Sequence, residues 1–241
     1  MHMQEILVLA VTRMAGGVCL AGMATESHPV TCLQWVRPVR EHGHVLLGDI
    51  TSMQGQVLRP FDVAEFALQY PRPEPPHVED WTTDFARHRP RVLRVLQGER
   101  RTVFLQRHLD RAPAEVIEDQ QRSLCLVKPE ELTGRFTFDA FTGKLDARIA
   151  FTLGGKTYAG HHGGSGLPVT DLRWRALGRT WLGNEGGAAA FDSVDLAQRL
   201  GVQEVYLTIG LSRRYDGRCW PMVVGVHAVP DLPIVADCGD I

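Results

Sequence analysis

The sequence has almost no lysine. Lys128, Lys144 and Lys156 are the only three among 26 cationic side chains, so the other 23 are arginine. Arginine offers a planar fork of donors that suits phosphate and a flat face that stacks on bases, but GC-rich coding and high growth temperature enrich it as well. An excess of either charge is also missing, because 28 Asp and Glu leave a formal net charge of −2. The sum therefore points to no polyanionic partner, and only the distribution of charge can do so. Long hydrophobic runs are absent too. The longest, Ile6-Leu7-Val8-Leu9-Ala10-Val11, is far short of the ~20 residues a bilayer span needs. It has no basic leader and runs into strand-like sequence, so no signal peptide or membrane partner is expected and the cytoplasm is the expected compartment.

Cysteine is scarce and scattered. Cys19, Cys32, Cys125, Cys219 and Cys238 form no C-x-x-C pair and no zinc-finger spacing with histidine, which argues against a disulfide framework and a structural zinc. No metal and no other cofactor is expected. The chain has no P-loop, no G-x-S-x-G elbow and no H-E-x-x-H helix, which lowers the expectation of an enzyme without excluding one. What is present is a composition with 44% hydrophobic and 22% charged residues over 241 positions. That excludes a disordered chain and suffices for one large domain or two small ones.

The first stretch reads as short strands separated by turns: Glu5 to Thr12, Gly17 to Gly22, Val30 to Val39 and Val57 to Tyr70. Pro71-Arg72-Pro73-Glu74-Pro75-Pro76 then reads as an extended spacer. Beyond it, Val92, Leu93, Val95 and Leu96 fit one apolar helical face, and Pro113 fits a first helical position before Ala114 to Gln121. Strands resume at Ser123 to Lys128, Arg135 to Ala140, Ala147 to Leu153 and, after Gly154-Gly155, Lys156 to Ala159. Asp192 is placed to cap a helix ending at Gly201, and Glu204 to Leu211 and Trp220 to Val229 are two apolar strands. The expected organisation is a first barrel over residues 1–70, a proline spacer and basic helical insert over 71–122, and a second barrel with a short helix over 123–241. The fold class is mainly β with α insertions (α+β). A five-stranded barrel with an inserted helix is the oligonucleotide/oligosaccharide-binding (OB) pattern, so two small OB-like barrels packed as one compact unit are expected.

Several residue groups could carry function. Trp35 and Arg37 share one face of a strand, where an aromatic ring beside a guanidinium can stack a base and hold its phosphate. Equally, Trp35 can fill the barrel while Arg37 pairs with a carboxylate such as Asp62. His77, Glu79 and Trp81 alternate after the spacer and read as hydrogen-bonding anchors of the insert in preference to a catalytic His/Glu pair. Arg173, Arg175 and Arg179 interleave with Trp174 and Trp181, and Arg213, Arg214 and Tyr215 cluster at a turn between strands. Between Thr82 and Arg111, Arg87, Arg89, Arg91, Arg94, Arg100, Arg101, Arg107 and Arg111 outnumber Asp84, Glu99 and Asp110. That segment is either a solvated face pairing with Glu115, Glu118 and Asp119 or a surface for phosphate or an acidic protein partner. An enzyme reading centres on Gly160-His161-His162-Gly163-Gly164-Ser165-Gly166, where His161 and His162, with Asp171, could serve a metal-dependent nuclease, another phosphate-ester hydrolase or a nucleotide-processing enzyme. Asp171 more simply caps the turn that carries Leu172-Arg173-Trp174.

In their order along the chain, Ile6-Leu7-Val8-Leu9-Ala10-Val11-Thr12-Arg13, Gly17-Val18-Cys19-Leu20-Ala21-Gly22, Trp35-Val36-Arg37-Pro38-Val39, Asp62-Val63, His77-Val78-Glu79-Asp80-Trp81, Thr170-Asp171-Leu172-Arg173-Trp174 and Tyr206-Leu207-Thr208-Ile209-Gly210-Leu211 resemble the bacterial dual OB-containing domain family. Asp80 stands where that family usually has Asn, and the Tyr158-to-Thr170 connection is lengthened by its Gly/His stretch. The resemblance implies two OB-like barrels and a nucleic-acid-binding role. The expected contacts to DNA or RNA, in single-stranded or opened form, are Arg13, Trp35, Arg37, Arg173, Trp174, Arg213, Arg214 and Tyr215. A protein-interaction adaptor that docks through the basic insert is the remaining reading, and oligomeric state is not legible.

Overall fold

A computed structural model describes residues 1–14, 16–26, 34–160, 165–232 and 234. The chain divides into two compact units, Met1–Leu124 and Cys125–Ile241, and each is taken by itself. No helix among the described residues is long and apolar enough to cross a membrane.

The first unit contains strands β1 (His2–Met14), β2 (Gly17–Ala24), β3 (Trp35–Val39), β4 (Asp62–Pro71), β5 (Asp80–Thr83) and β6 (Arg91–Val95), then helices α1 (Gly98–Arg107) and α2 (Ala114–Ile117). Sheet order is β1-β2-β3-β5-β4-β6, and β1 also pairs with β4. The first five strands therefore close into a ring, 1-2-3-5-4-1, with β3 and β5 parallel and the other ring pairs antiparallel. A closed five-stranded ring leaves no open edge within it, which is the OB solution to the edge-strand problem. Apolar β-branched and leucine side chains from Ile6 to Val11 are buried on both faces of β1. Its register with β2 shifts between Val8 and Ala10. Near that bulge a Cβ on Gly22 would lie 2.1 Å from the Leu7 carbonyl oxygen, so the close approach of the two strands requires glycine there.

Three expectations are corrected here. Pro71–Pro76 is not an extended spacer: Pro71 ends β4, and the chain then turns, with Glu74 and His77 bridging each other through both backbone N–H groups. The turn returns the chain to β4, so the strand that closes the ring, β5, lies beyond residue 70 and inside the segment read as spacer and insert. Arg91–Val95 is a strand rather than a helical face. Its V-L-x-V spacing satisfies either period, and the first half of β4, which the short β5 does not reach, supplies the backbone partners that decide between them. Arg91 and Arg94 then pair across strands with Glu65 at 3.1 Å and Glu5 at 2.8 Å. The strand expected over Val57 to Tyr70 begins only at Asp62, after Phe61 adopts φ 73° and the Arg59 backbone N–H donates to Asp62.

The second unit contains β7 (Leu124–Val127), β8 (Glu131–Asp139), β9 (Lys144–Leu153), β10 (Lys156–Tyr158), β11 (Leu167–Pro168), α3 (Leu172–Leu182), β12 (Gly187–Asp192), α4 (Ser193–Leu200), β13 (Glu204–Leu211) and β14 (Pro221–Val229). One sheet has the order β10-β9-β8-β12 with β11 on β9, and the other β14-β13-β7. A parallel bridge, Val169 to Val223, joins β11's end to β14. The turn expected at Asp171 is the start of the eleven-residue α3, and its Trp174 packs with Phe136, Phe191 and Trp181 in one aromatic cluster. Asp192 forms a full capping box with Asp195, and Gly201 closes α4 in the left-handed conformation.

Candidate functional site

The β13–β14 hairpin presents the densest exposed group of cations and an aromatic ring. Ser212 ties its base, donating N–H to the Trp220 carbonyl and accepting the Trp220 N–H on its hydroxyl. At its tip Tyr215 and Arg218 exchange backbone hydrogen bonds of 2.8 and 3.1 Å around Asp216 and Gly217. These two residues have φ 51° and 75°, the mirror-image turn geometry whose twist matches a β-hairpin. Arg213, Arg214, Tyr215 and Arg218 are consequently held on a short, defined turn and all are exposed, Tyr215 by 77%. Arg218 was not singled out in the sequence, although it is the cross-turn partner of Tyr215 and two-residue hairpin geometry predicts that pairing.

The other expected contacts lie elsewhere. Arg13 is exposed on β1, opposite Val18. Trp35 is half-buried, and Arg37, two residues along the same strand, is buried. Arg37 Nε donates to Asp80 Oδ1 at 2.6 Å, and Nη2 lies 3.3 Å from Glu79 Oε1. Burial pulls its pKa down, but the Cys19 thiol and the Asp80 and Glu79 carboxylates outweigh that pull and raise it. Arg37 is thus an internal counterion, and its expected role as a surface phosphate contact is corrected. The carboxylate is Asp80 rather than Asp62, because parallel pairing sets Arg37 opposite Asp80. Glu79 also accepts from the Ser123 hydroxyl, so Glu79 and Asp80 anchor structure from buried positions beside the buried His77, while Val78 is exposed and Trp81 half-buried.

Trp174 is 2% exposed within the aromatic cluster and presents no face for a base, which corrects that expectation. Arg173 binds the chain's own C-terminal segment, donating to the Leu232 carbonyl at 2.6 Å and the Ile234 carbonyl at 3.1 Å and pairing with Asp231. Asp171 is buried, and its carboxylate accepts the backbone N–H groups of Trp174 at 2.7 Å and Val226 at 3.1 Å. Burial pushes its pKa up to about 6 against the opposing pull of those two N–H groups and of Arg173. It is a helix cap sealed from solvent, not an accessible acid or base.

His161 and His162 lie outside the described residues. A cleft of about 410 Å³ is lined by Arg135, Ser165, Phe191, Asp192 and Asp195. Both of its carboxylates are engaged in the α4 capping box. Among the described residues, no three His, Cys, Asp or Glu side chains converge as a metal site would require.

Four of the eight insert arginines are engaged within their own unit. Arg87 pairs with Asp84, Arg91 with Glu65 and Arg94 with Glu5, and Arg101 is buried with its guanidinium 4.3 Å over the Phe61 ring. Glu115, expected to pair with those eight arginines, instead binds Arg122, which also takes both oxygens of Asp110 at 2.7 Å. Arg89, Arg100, Arg107 and Arg111 are exposed.

One residue that the sequence reading passed over stands out. Phe141, at the tip of the β8–β9 hairpin, is 99% exposed. Its signal is an aromatic in the turn Asp139-Ala140-Phe141-Thr142-Gly143-Lys144 between two alternating strands. Comparison with known proteins finds a family model described as Dual OB-containing domain that matches residues 4–226. No curated protein and no solved structure matches the chain.

Proposed function

The chain belongs to the dual OB-containing domain family, and from that premise we propose that it binds DNA or RNA in single-stranded or opened form through arginine–phosphate contacts and aromatic stacking. The observation that carries this reading is the β13–β14 tip, where Arg213, Arg214 and Arg218 surround an exposed Tyr215 on an ordered turn. Single-strand binders combine a cationic track for the backbone with rings on which any base can stack, and this tip has both parts. The closed five-stranded ring of the first unit supports the reading, because OB barrels recur as scaffolds for oligonucleotides. Arg13 and the exposed face of Trp35 are the contacts proposed on that ring.

The test is fluorescence anisotropy with labelled single- and double-stranded DNA and RNA over a range of salt. Affinity is expected to fall linearly on logarithmic axes with salt. Replacing Arg213 and Arg214 together with alanine should reduce the slope by about 1.4 for a single strand, at about 0.7 per lost phosphate contact. Salt-independent binding, or no binding to any of the four probes, overturns the proposal.

A further inference from the structure

We propose that Phe141 is a second nucleic-acid contact, a base-stacking ring at the end of the second unit opposite the arginine tip; this inference rests on the nucleic-acid reading above. Phe141 is exposed by 99%, so its ring is open to a stacking partner. The turn that carries it is ordered from both sides. Asp139 Oδ1 accepts the backbone N–H of Phe141 at 2.9 Å and of Thr142 at 3.3 Å, and Gly143 follows with φ 66°. The Thr142 hydroxyl and these two N–H groups hold the Asp139 pKa below the usual carboxylate range, so the turn-forming acceptor stays charged. From the other side, α3 reaches over the turn: Arg179 Nη2 donates to the Gly143 carbonyl at 3.4 Å and Arg175 Nη2 to the Leu145 carbonyl at 2.9 Å. The ring is therefore presented by a braced hairpin.

The surrounding charge selects the partner. Lys144, Arg175 and Arg179 accompany Phe141 at this end, and Arg179 also lies 5.3 Å over the Phe138 ring. Of the nearby acids, Asp139 holds the turn, Asp146 pairs with Arg148 at 3.0 Å, and Glu185 is exposed next to Gly186, which lies against Ala140. An exposed ring with the exposed Lys144 on the same turn fits a base attached to phosphates better than an acyl chain.

Strand directions separate this site from the arginine tip. β9 runs antiparallel to β11, and β11 continues into a parallel bridge with β14. Hence the β8–β9 turn lies toward the end of β14 at Val229, and the Arg213–Arg218 turn lies beyond its beginning at Pro221. A strand held at both would run along the length of the unit. The substitutions also differ in kind: removing Arg213 and Arg214 takes away ionic contacts that read salt, and removing the Phe141 ring takes away stacking that does not.

The experiment uses the full chain and single-stranded oligonucleotides at fixed salt, with Phe141→Ala, Phe141→Tyr and Phe141→Trp. Loss of one stacked base corresponds to ~5- to ~150-fold in affinity. Phe141→Ala should weaken binding within that range while leaving the salt slope and the melting temperature at wild-type values, and Phe141→Tyr should restore affinity. The added indole of Phe141→Trp should be quenched on binding relative to wild type. Unchanged affinity in Phe141→Ala, with wild type binding and the arginine pair still setting the slope, overturns the stacking role and leaves the general reading intact. If wild type binds no oligonucleotide, both fall together. A shift in oligomeric state on Phe141→Ala, with nucleic-acid affinity unchanged, also overturns the proposal and assigns the ring to a contact between copies.

Discussion

Arg37 and Asp80 face each other across the parallel β3–β5 pair of the first barrel, Nε to Oδ1 at 2.6 Å, and both are buried. This pair joins two strands that no hairpin links, β4 lying between them in sequence, and so helps to set the register in which the ring closes. Glu79, the residue before Asp80, adds a second carboxylate on the same guanidinium.

Replacing Arg37 with methionine leaves Glu79 and Asp80 buried without their counterion. The expected cost is about 3–5 kcal/mol of unfolding free energy, the range for one-sided disruption of a buried ion pair. Urea denaturation measures it. The same variant, assayed where it is folded, should keep the wild-type salt slope for oligonucleotides. A slope lowered by about 0.7 would instead show that Arg37 contacts phosphate.

Asp171 makes stability depend on pH in a defined direction. Its pKa is raised by burial from 3.8 to about 6, so the folded protein binds this proton more tightly than the unfolded chain does. The contribution is fully present below the unfolded pKa and is lost as pH rises through the folded one. Over the window from about pH 4 to about pH 6 the loss amounts to about 3 kcal/mol. Asp171→Asn retains a good N-cap residue and should flatten this component. Denaturant titrations of both proteins across the window check it, and parallel profiles would refute the assignment.

Gly178→Ala in α3 should destabilise, against helix propensity. Alanine in a helix interior is favoured over glycine by about 1 kcal/mol. Here the new Cβ would lie 2.5 Å from Phe136 Cδ1, and Phe136 is fully buried between Trp174, Trp181 and Phe191. Overpacking of that cluster is expected to cost about 1–3 kcal/mol net, read as a lowered melting temperature. A stabilised variant would show that the aromatic cluster can yield.

Much of the fold was legible where the signal is local. Alternation and turn chemistry located β1, β2, β8, β9, β13 and β14, and the Asp192 and Gly201 caps bounded α4. The Arg213-Arg214-Tyr215 group was legible as a turn between strands, and its exposure follows from that position. The failures share a cause. Arg91–Val95 could satisfy a helix or a strand until β4 supplied the backbone partners, and Pro71–Pro76 reads as a spacer because the strand that follows it and closes the ring is only four residues long.

The amino-acid pattern by itself determined the mainly β character, the family and the residues that could share a strand face. Tertiary structure decided which of those faces meets water. Trp35 and Arg37 were placed on one face by period-two geometry, yet ring closure turned Arg37 toward Asp80 and Glu79 and buried it. Phe141 went the other way, an aromatic that composition alone would assign to a core and that a braced hairpin holds in solvent. Burial depends on which distant strands pair, and that information is carried by the whole chain rather than by any local stretch of it.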